Sequence, residues 1–362
     1  MLTRPYGSTG LDVSAIGFGG MRFRDQVNID ACVELMHAAY AHGINYFDTA
    51  PGYGKSEEIF GHALPDMLKS RTEKPFYVST KTTQSDPSEI RREVETSLKL
   101  MRLETIDFYH VWCLLSWDMY ERRKAKGVLQ TFEKLRDEGL INHITVSTHM
   151  PGNDVVRLMN DYAFEGILLG YSAMNFKYRE PGIQAAADLG RGVVVMNPLG
   201  GGLIPQHPER FGFVRTREDE NVIEGALRFL IDDPRITISL VGFRDVHDLK
   251  DVLSAMEGYE PIAASEIERI RDNVKEAFDQ LCTGCQYCDE CPEGIPVPKL
   301  MDAYNHYHLS NSKKELQDRL KWHWGIMPDD PVLQACTACG TCEDLCTQHL
   351  PIIERIQEIS QT

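Results

Sequence analysis

Eight of the ten cysteines lie between Cys282 and Cys346. They form two runs: Cys282, Cys285, Cys288 and Cys291, closed by Pro292, and Cys336, Cys339, Cys342 and Cys346, followed by Thr347. Three thiolates spaced by threes can wrap one corner of an iron–sulfur cubane while a more distant cysteine completes the fourth. In two-cluster proteins of this kind the last cysteine of each run ligates the other cluster. That pattern groups Cys282, Cys285 and Cys288 with Cys346, and Cys336, Cys339 and Cys342 with Cys291. Two Cys₄ zinc sites are the alternative, although zinc sites more often use separated CxxC pairs. Cys32 and Cys113 stand apart and read as packing.

A second set of chemical groups lies early in the chain. Asp48, Tyr53 and Lys81 supply a carboxylate, a phenol and an ammonium. A free tyrosine, with a pKa near ~10, is a poor proton donor at neutral pH. An adjacent ammonium favours the phenolate and lowers that pKa. A carboxylate can hold the ammonium in place through charge-assisted hydrogen bonds. A structural Asp48–Lys81 ion pair is the plainer alternative.

The elements that must position these groups alternate regularly. A hairpin is expected at Thr3–Tyr6 and Val13–Ile16, turning at Ser8–Gly10. Eight strand–helix units follow. Their strands are expected at Ile16–Phe18, Asn45–Asp48, Phe76–Lys81, Ile106–Val111, His143–Ser147, Gly166–Tyr171, Val193–Asn197 and Ile238–Val241. The strands are short and continuously apolar, as parallel strands covered on both faces should be. Gly43, Gly139 and Gly190 follow expected helices, where a left-handed residue is wanted. Eight such units suit an α/β (β/α)₈ TIM barrel, with its chemistry at the strand C-terminal ends. Residues 1–264 are expected to form that barrel. Residues 265–362 are expected to form a linker helix, Ser265–Leu281, and a small, mostly helical ferredoxin-like domain. The segment Cys113–Lys126 reads as a loop, with Trp117 and Tyr120 as pocket wall or solvated surface.

Composition narrows the function classes. The chain has 362 residues, 38 Lys and Arg against 54 Asp and Glu, and a net charge of −16. Such acidity argues against a nucleic-acid partner, because phosphate contacts need a basic footprint. No apolar run approaches the ~20 residues of a membrane span. The first residues, Met1–Gly10, contain no apolar stretch of signal-peptide length. A cytoplasmic protein with no membrane partner is expected, and in a reducing compartment clustered cysteines read as metal ligands.

The Asp48-Thr-Ala-Pro-Gly-Tyr53-Gly segment, Ser79-Thr-Lys81, Gly7–Ser14, Gly17–Arg22 and Pro198–Gly202 resemble the aldo-keto reductase family. With the two cysteine runs, the chain resembles its subgroup carrying a C-terminal 4Fe-4S ferredoxin-type domain. The resemblance spans essentially the whole chain. It implies an oxidoreductase that uses NADP or NAD on a small carbonyl or hydroxyl substrate, with Tyr53 as general acid/base and Lys81 and Asp48 supporting it. The family's fourth catalytic residue, a His, aligns with Trp112. An indole donates a hydrogen bond but cannot relay a proton. His110 lies two residues earlier on the same strand face, about 6.5 Å deeper, as a candidate for chemistry or as a plain barrel histidine. The resemblance further implies cofactor contacts at Gly20, Met21, Ser147, Asn175, Pro198, Leu199, Gly242 and Arg244. The Arg244 fork could grip a 2′-phosphate, which tilts the reading toward NADP. Met196 stands where many relatives stack an aromatic on nicotinamide, and Val252 where they have an adenine-binding Asn.

Three functions compete. The first is nicotinamide-dependent hydride transfer, with one or two 4Fe-4S clusters serving electron transfer or structure. The second is a barrel enzyme fed single electrons by its clusters, linked to a redox partner protein. The third is a non-catalytic, cofactor-binding scaffold.

Overall fold

The computed structural model describes residues 1–218, 220–257, 259–274 and 276–361. The chain divides into two compact units, Met1–Val274 and Lys275–Thr362, about ten residues beyond the expected 264/265 boundary. The helix Ala264–Asn273 belongs to the first unit. The continuous helix expected over Ser265–Leu281 is in fact two pieces, since a separate 3₁₀ turn spans Glu276–Gln280.

The first unit opens with β1 (Thr3–Pro5) and β2 (Asp12–Ser14), an antiparallel hairpin. Eight strands follow: β3 (Ile16–Gly19), β4 (Tyr46–Asp48), β5 (Tyr77–Thr82), β6 (Ile106–Leu114), β7 (Ile141–Thr148), β8 (Gly166–Gly170), β9 (Gly192–Met196) and β10 (Ile238–Gly242). They close a parallel barrel in the order β10-β3-β4-β5-β6-β7-β8-β9. Helices connect successive strands, and their ends carry ordinary caps. The Asp86 carboxylate accepts from the Ser88 and Glu89 amides ahead of Pro87–Met101, and Asn221 and Glu224 form a reciprocal capping box on Val222–Ile231.

Tyr6, carried past the end of β1, is fully buried and caps the N-terminal end of the barrel. Its ring lies 4.3 Å from Phe108 and 6.2 Å from Tyr46, centroid to centroid. The plug requires glycine at 166, where a Cβ would fall 2.1 Å from the Tyr6 hydroxyl oxygen. With one end sealed by aromatic packing, chemistry is left to the C-terminal rim.

One expected loop is a helix. Trp117–Ala125 is helical, started by Ser116, whose hydroxyl accepts from the Met119 amide. Charged residues dominate this stretch, so it shows no apolar stripe to read. Tyr120 is buried, with its hydroxyl on Asp161. The solvated-surface reading of this segment therefore does not apply to Tyr120.

The second unit is mostly helical: Val297–Ser310, Lys313–Asp318, Thr341–Asp344 and Ile352–Ser360 surround the cysteines. Its core joins Cys288, Cys342 and Cys346 to Leu300, Met301, Leu316, Leu320, Ile352 and Ile356. Among the described residues, no helix is long and apolar enough to cross a membrane.

Candidate functional site

Asp48 ends β4 and pairs in register with Ser79 of β5, while Lys81 pairs with His110 of β6. Period-two alternation turns Ser79 and Lys81 to one face of β5. The result is a buried polar knot across three strands. Lys81 Nζ donates to Asp48 Oδ1 and Oδ2 at 2.8 and 2.7 Å and to the Thr49 carbonyl at 2.8 Å. Ser79 donates to Asp48 Oδ1 at 2.5 Å. All three ammonium protons are thus used, which fixes the nitrogen in position. Burial pulls the Lys81 pKa below its ordinary value, with the Asp48 charge opposing that shift.

Tyr53 sits in the turn after β4. Its amide donates to the Ala50 carbonyl, and its carbonyl accepts from the Ser56 amide at 3.2 Å and from Gln26 Nε2 at 3.0 Å. The Lys81 ammonium lies 5.0 Å from the centre of the Tyr53 ring. Trp112 packs edge-on against Tyr53 at 5.9 Å and 80° and lies 6.0 Å from the same ammonium. The Trp112 carbonyl accepts from Arg123. The β6–β7 register shifts between Val111 and Leu114, so β6 extends past its expected end and carries Trp112 and Cys113 to the rim. Cys113, expected to be plain packing, is half-buried there, near both Lys81 and Arg123.

His110 is fully buried, with neither ring nitrogen hydrogen-bonded. Its Nε2 lies 4.0 Å from Asp48 Oδ1. Burial first, and the Lys81 charge second, push its pKa well below the ordinary value, with the Val146 backbone opposing. The ring is therefore a neutral imidazole behind the Asp48–Lys81 pair.

The residues assigned to a cofactor by resemblance all lie at or beyond strand C-terminal ends. Gly20 and Met21 follow β3, and Gly242 closes β10 beside them, with Gly19 and Gly242 in register. Gly20 has a packing duty of its own: a Cβ there would fall 2.5 Å from Ser56 Oγ and 2.7 Å from the Phe60 ring. Ser147 lies near the end of β7, and Asn175 lies beyond β8. Asn175 is fully buried; its Oδ1 accepts from Ser172 at 2.9 Å, while its Nδ2 is an unpartnered donor. Pro198 and Leu199 precede the Gly200–Gly202 turn. Arg244 is already engaged: its Nε and Nη2 donate to the two carboxylate oxygens of Asp248 at 2.8 and 2.7 Å.

The second unit gathers the cysteines in two sets. Cys282, Cys285, Cys288 and Cys346 form the inner one. Burial first, and the closeness of Cys282, Cys285 and Cys346 second, push the Cys288 thiol up, and burial pushes the Cys282 thiol up to about 12. The Gly284 amide donates to Cys282 Sγ at 3.3 Å and the Leu350 amide to Cys346 Sγ at 3.4 Å. Asn305, itself buried, clamps Cys282 by bonds of 2.8 Å to its amide and to its carbonyl. Cys291, Cys336, Cys339 and Cys342 form the outer set and line one small cavity, with Ile295, Val297, Ile353 and Ile356 as its apolar wall. Burial and Glu343 push the Cys342 thiol up to about 11, whereas Cys339 is exposed. The four thiols of the outer set surround a space. Among the described residues, no three His, Cys, Asp or Glu side chains are placed to hold a single metal ion. Four thiols in each set are the donors an iron–sulfur cubane takes, and a coordinating metal ionises thiols outright.

Sequence reading missed Ser79, Thr49, Gln26, Arg123 and Asn305. Ser79 alone carried a signal, two residues before Lys81 on the same strand face. The others act through backbone groups or across long sequence separations.

Known proteins place the chain. Residues 15–275 match the Aldo/keto reductase family, and residues 281–350 match the 4Fe-4S dicluster domain. An uncharacterised oxidoreductase of Bacillus subtilis, YrpG, is 26% identical over 69% of this chain and 90% of its own length. L-galactose dehydrogenase of Arabidopsis thaliana is 25% identical over 75% of this chain and 95% of its own. The holo form of an aldo-keto reductase from Bacillus halodurans superposes with a TM-score of 0.65 at 22% identity, covering 76% of this chain and 97% of that one. A closed eight-strand barrel, the Asp48–Lys81–Tyr53 constellation and the match over residues 15–275 together make this chain a member of the aldo/keto reductase family, one that carries a C-terminal 4Fe-4S domain.

Proposed function

We propose that the barrel transfers hydride between a nicotinamide cofactor and a small carbonyl or hydroxyl substrate, with Tyr53 as the proton donor and acceptor. The observation that carries this reading is Lys81, fixed by three acceptors and 5.0 Å from the centre of the Tyr53 ring. A bound nicotinamide supplies the hydride. Tyr53 gives its hydroxyl proton to the carbonyl oxygen as negative charge develops there, and recovers one in the reverse direction. The Lys81 ammonium stabilises the phenolate left behind, and Asp48 keeps that ammonium charged and aimed. Trp112 closes one side of the Tyr53 ring and limits the water that reaches it. His110, neutral and without a hydrogen-bond partner, acts as packing behind Asp48.

The residues after the strand ends fit a nicotinamide cofactor. The unpartnered Asn175 amide is a buried donor of the kind a carboxamide oxygen would satisfy. Ser147, Pro198, Leu199, Gly20, Met21 and Gly242 would complete the cradle. Arg244 would have to leave Asp248 to grip a 2′-phosphate, and Asp245 and Asp251 add further negative charge around it. We therefore favour NAD over NADP. The two cysteine sets would each hold one 4Fe-4S cluster, serving a one-electron partner or the stability of the second unit.

Fluorescence titration of the anaerobic holoprotein with NADH and NADPH tests the reading. NADH should bind, and binding of neither cofactor would end it. A second reading rests on Trp112, which stands where a proton-relaying His is expected: the barrel would take single electrons originating at the clusters. It requires turnover with a chemical one-electron donor and no nicotinamide.

A further inference from the structure

The helix Ile352–Ser360 sends Ile352, Ile356 and Ile359 into the core that holds Cys288 and Cys346. Arg355, on the same helix, is only 4% exposed. Its guanidinium lies 4.8 Å from the centre of the Tyr304 ring, and its Nη2 reaches Gln280 Oε1 at 3.5 Å. Its Nη1 is buried with no hydrogen-bond partner. Glu358, one turn along, is engaged by the Tyr304 hydroxyl at 2.6 Å.

A guanidinium stays charged in any protein environment. Burying it is costly unless an opposite charge faces it. Glu358, an acid that acts on Arg355, sits at the exposed edge of the helix. Among the groups acting on Arg355 from the interior are Cys282 and Cys346, both of the inner set. As neutral thiols they offer no countercharge. Four thiolates around a cubane form a net anion, and each electron taken up adds one more negative charge. The inner set also receives the Gly284 and Leu350 amides, whose N–H···S bonds favour the more negative state. The outer set also receives a hydrogen bond, with Thr341 Oγ1 3.5 Å from Cys339 Sγ, but its charge surroundings differ. Cys339 is exposed, and Glu343 is the charge acting most strongly on Cys342.

We propose that Arg355 is the countercharge of the inner site, which stabilises the reduced cluster held by Cys282, Cys285, Cys288 and Cys346 and raises its potential relative to that of the outer site. The two sites are then unequal by construction. One electron from an external one-electron carrier oxidises that carrier by one and reduces the inner site by one. This proposal rests on the reading that both cysteine sets hold 4Fe-4S clusters.

The test is EPR-monitored potentiometry on the anaerobic full-length holoprotein, wild type against Arg355→Gln and Arg355→Lys, with iron and sulfide counted in each. About eight irons per wild-type chain establishes the two-cluster reading, and about four would refute that reading by itself. With iron retained, Arg355→Gln should lower the reduced-to-oxidised ratio of one cluster at least tenfold at fixed potential, a shift of about 59 mV for one electron. The other cluster should not move, and Arg355→Lys should restore most of the loss. If Arg355→Gln sheds one cluster while Arg355→Lys keeps both, the charge requirement is confirmed through occupancy. No shift, an equal shift of both clusters, or the same loss of iron in both variants would overturn the proposal.

Discussion

Replacing Asp48 with Asn preserves the shape of the buried knot and deletes its negative charge. The Lys81 side chain is 0% exposed and that of Asp48 3%, so solvent offers the orphaned ammonium nothing. Removing one partner of a buried pair typically costs about 3–5 kcal/mol. At about 2–4 °C per kcal/mol for a unit of this size, the barrel should melt roughly 6–20 °C lower. The penalty should depend on pH. Burial already lowers the Lys81 pKa, and loss of Asp48 lowers it further. Unfolded lysine holds its proton up to about 10.4. Between the two values the unfolded chain binds more protons, so stability rises with pH. The deficit of Asp48→Asn should therefore shrink as pH is raised from neutrality toward that limit. The double variant Asp48→Asn/Lys81→Met carries neither charge and should recover most of the loss, giving a coupling of at least about 1.5 kcal/mol between the two sites. Melting followed by far-ultraviolet circular dichroism across the cycle measures both quantities. Strictly additive single variants, or an Asp48→Asn cost below about 1 kcal/mol, would refute the claim that a desolvated pair organises this site.

Three further outcomes follow from the same geometry. Asp48 is distinct from the rim carboxylate Asp248, and Asp248→Asn should free Arg244 and improve NADPH binding relative to NADH by up to about fivefold, since an exposed pair is worth at most about 1 kcal/mol; an unchanged ratio in paired titrations would remove Arg244 from the cofactor site. Arg179 is fully buried and donates to the carbonyls of Gly170 at 3.1 Å and His149 at 2.9 Å. Arg179→Met should cost about 1–3 kcal/mol for each carbonyl it strands, and a urea midpoint within error of wild type would contradict this. Cys288→Ala and Cys339→Ala should each remove about half of the bound iron, because they belong to different sets; loss of all iron from either variant would contradict the four-plus-four grouping.

The barrel was legible because its signals are local and repeated. Apolar strand cores such as Gly166–Gly170 and Gly192–Met196 are flanked by helices with plain caps, and the observed strands fall within a few residues of their expected positions. The longest departure is β6, expected to end at Val111 and observed to run to Leu114. It lies where the register shifts, a property of the β6–β7 pairing and not of either sequence segment. The helix Trp117–Ala125 was illegible for another reason: its helix-forming residues are charged, and only Tyr120 is buried. Asp48, Tyr53 and Lys81 could be read because residue type and spacing carry their chemistry. Gln26, Arg123 and Asn305 could not, because each works by gripping a distant backbone group. Arg355 was invisible because nothing in its local sequence marks a guanidinium that folding buries against the Tyr304 ring, some fifty residues earlier in the chain.

The central claim is hydride transfer with Tyr53 as the proton donor. It is tested most directly by isotope transfer in the anaerobic holoprotein. Wild type and Tyr53→Phe are supplied with NADH deuterated at the transferring carbon and a panel of small aldehydes and ketones, and the products are read by mass spectrometry. Wild type should place deuterium on the former carbonyl carbon. Tyr53→Phe should bind NADH equally well and turn over about 10²–10⁴-fold more slowly. Reduced product without deuterium, formed at the same rate by both proteins, would contradict the account.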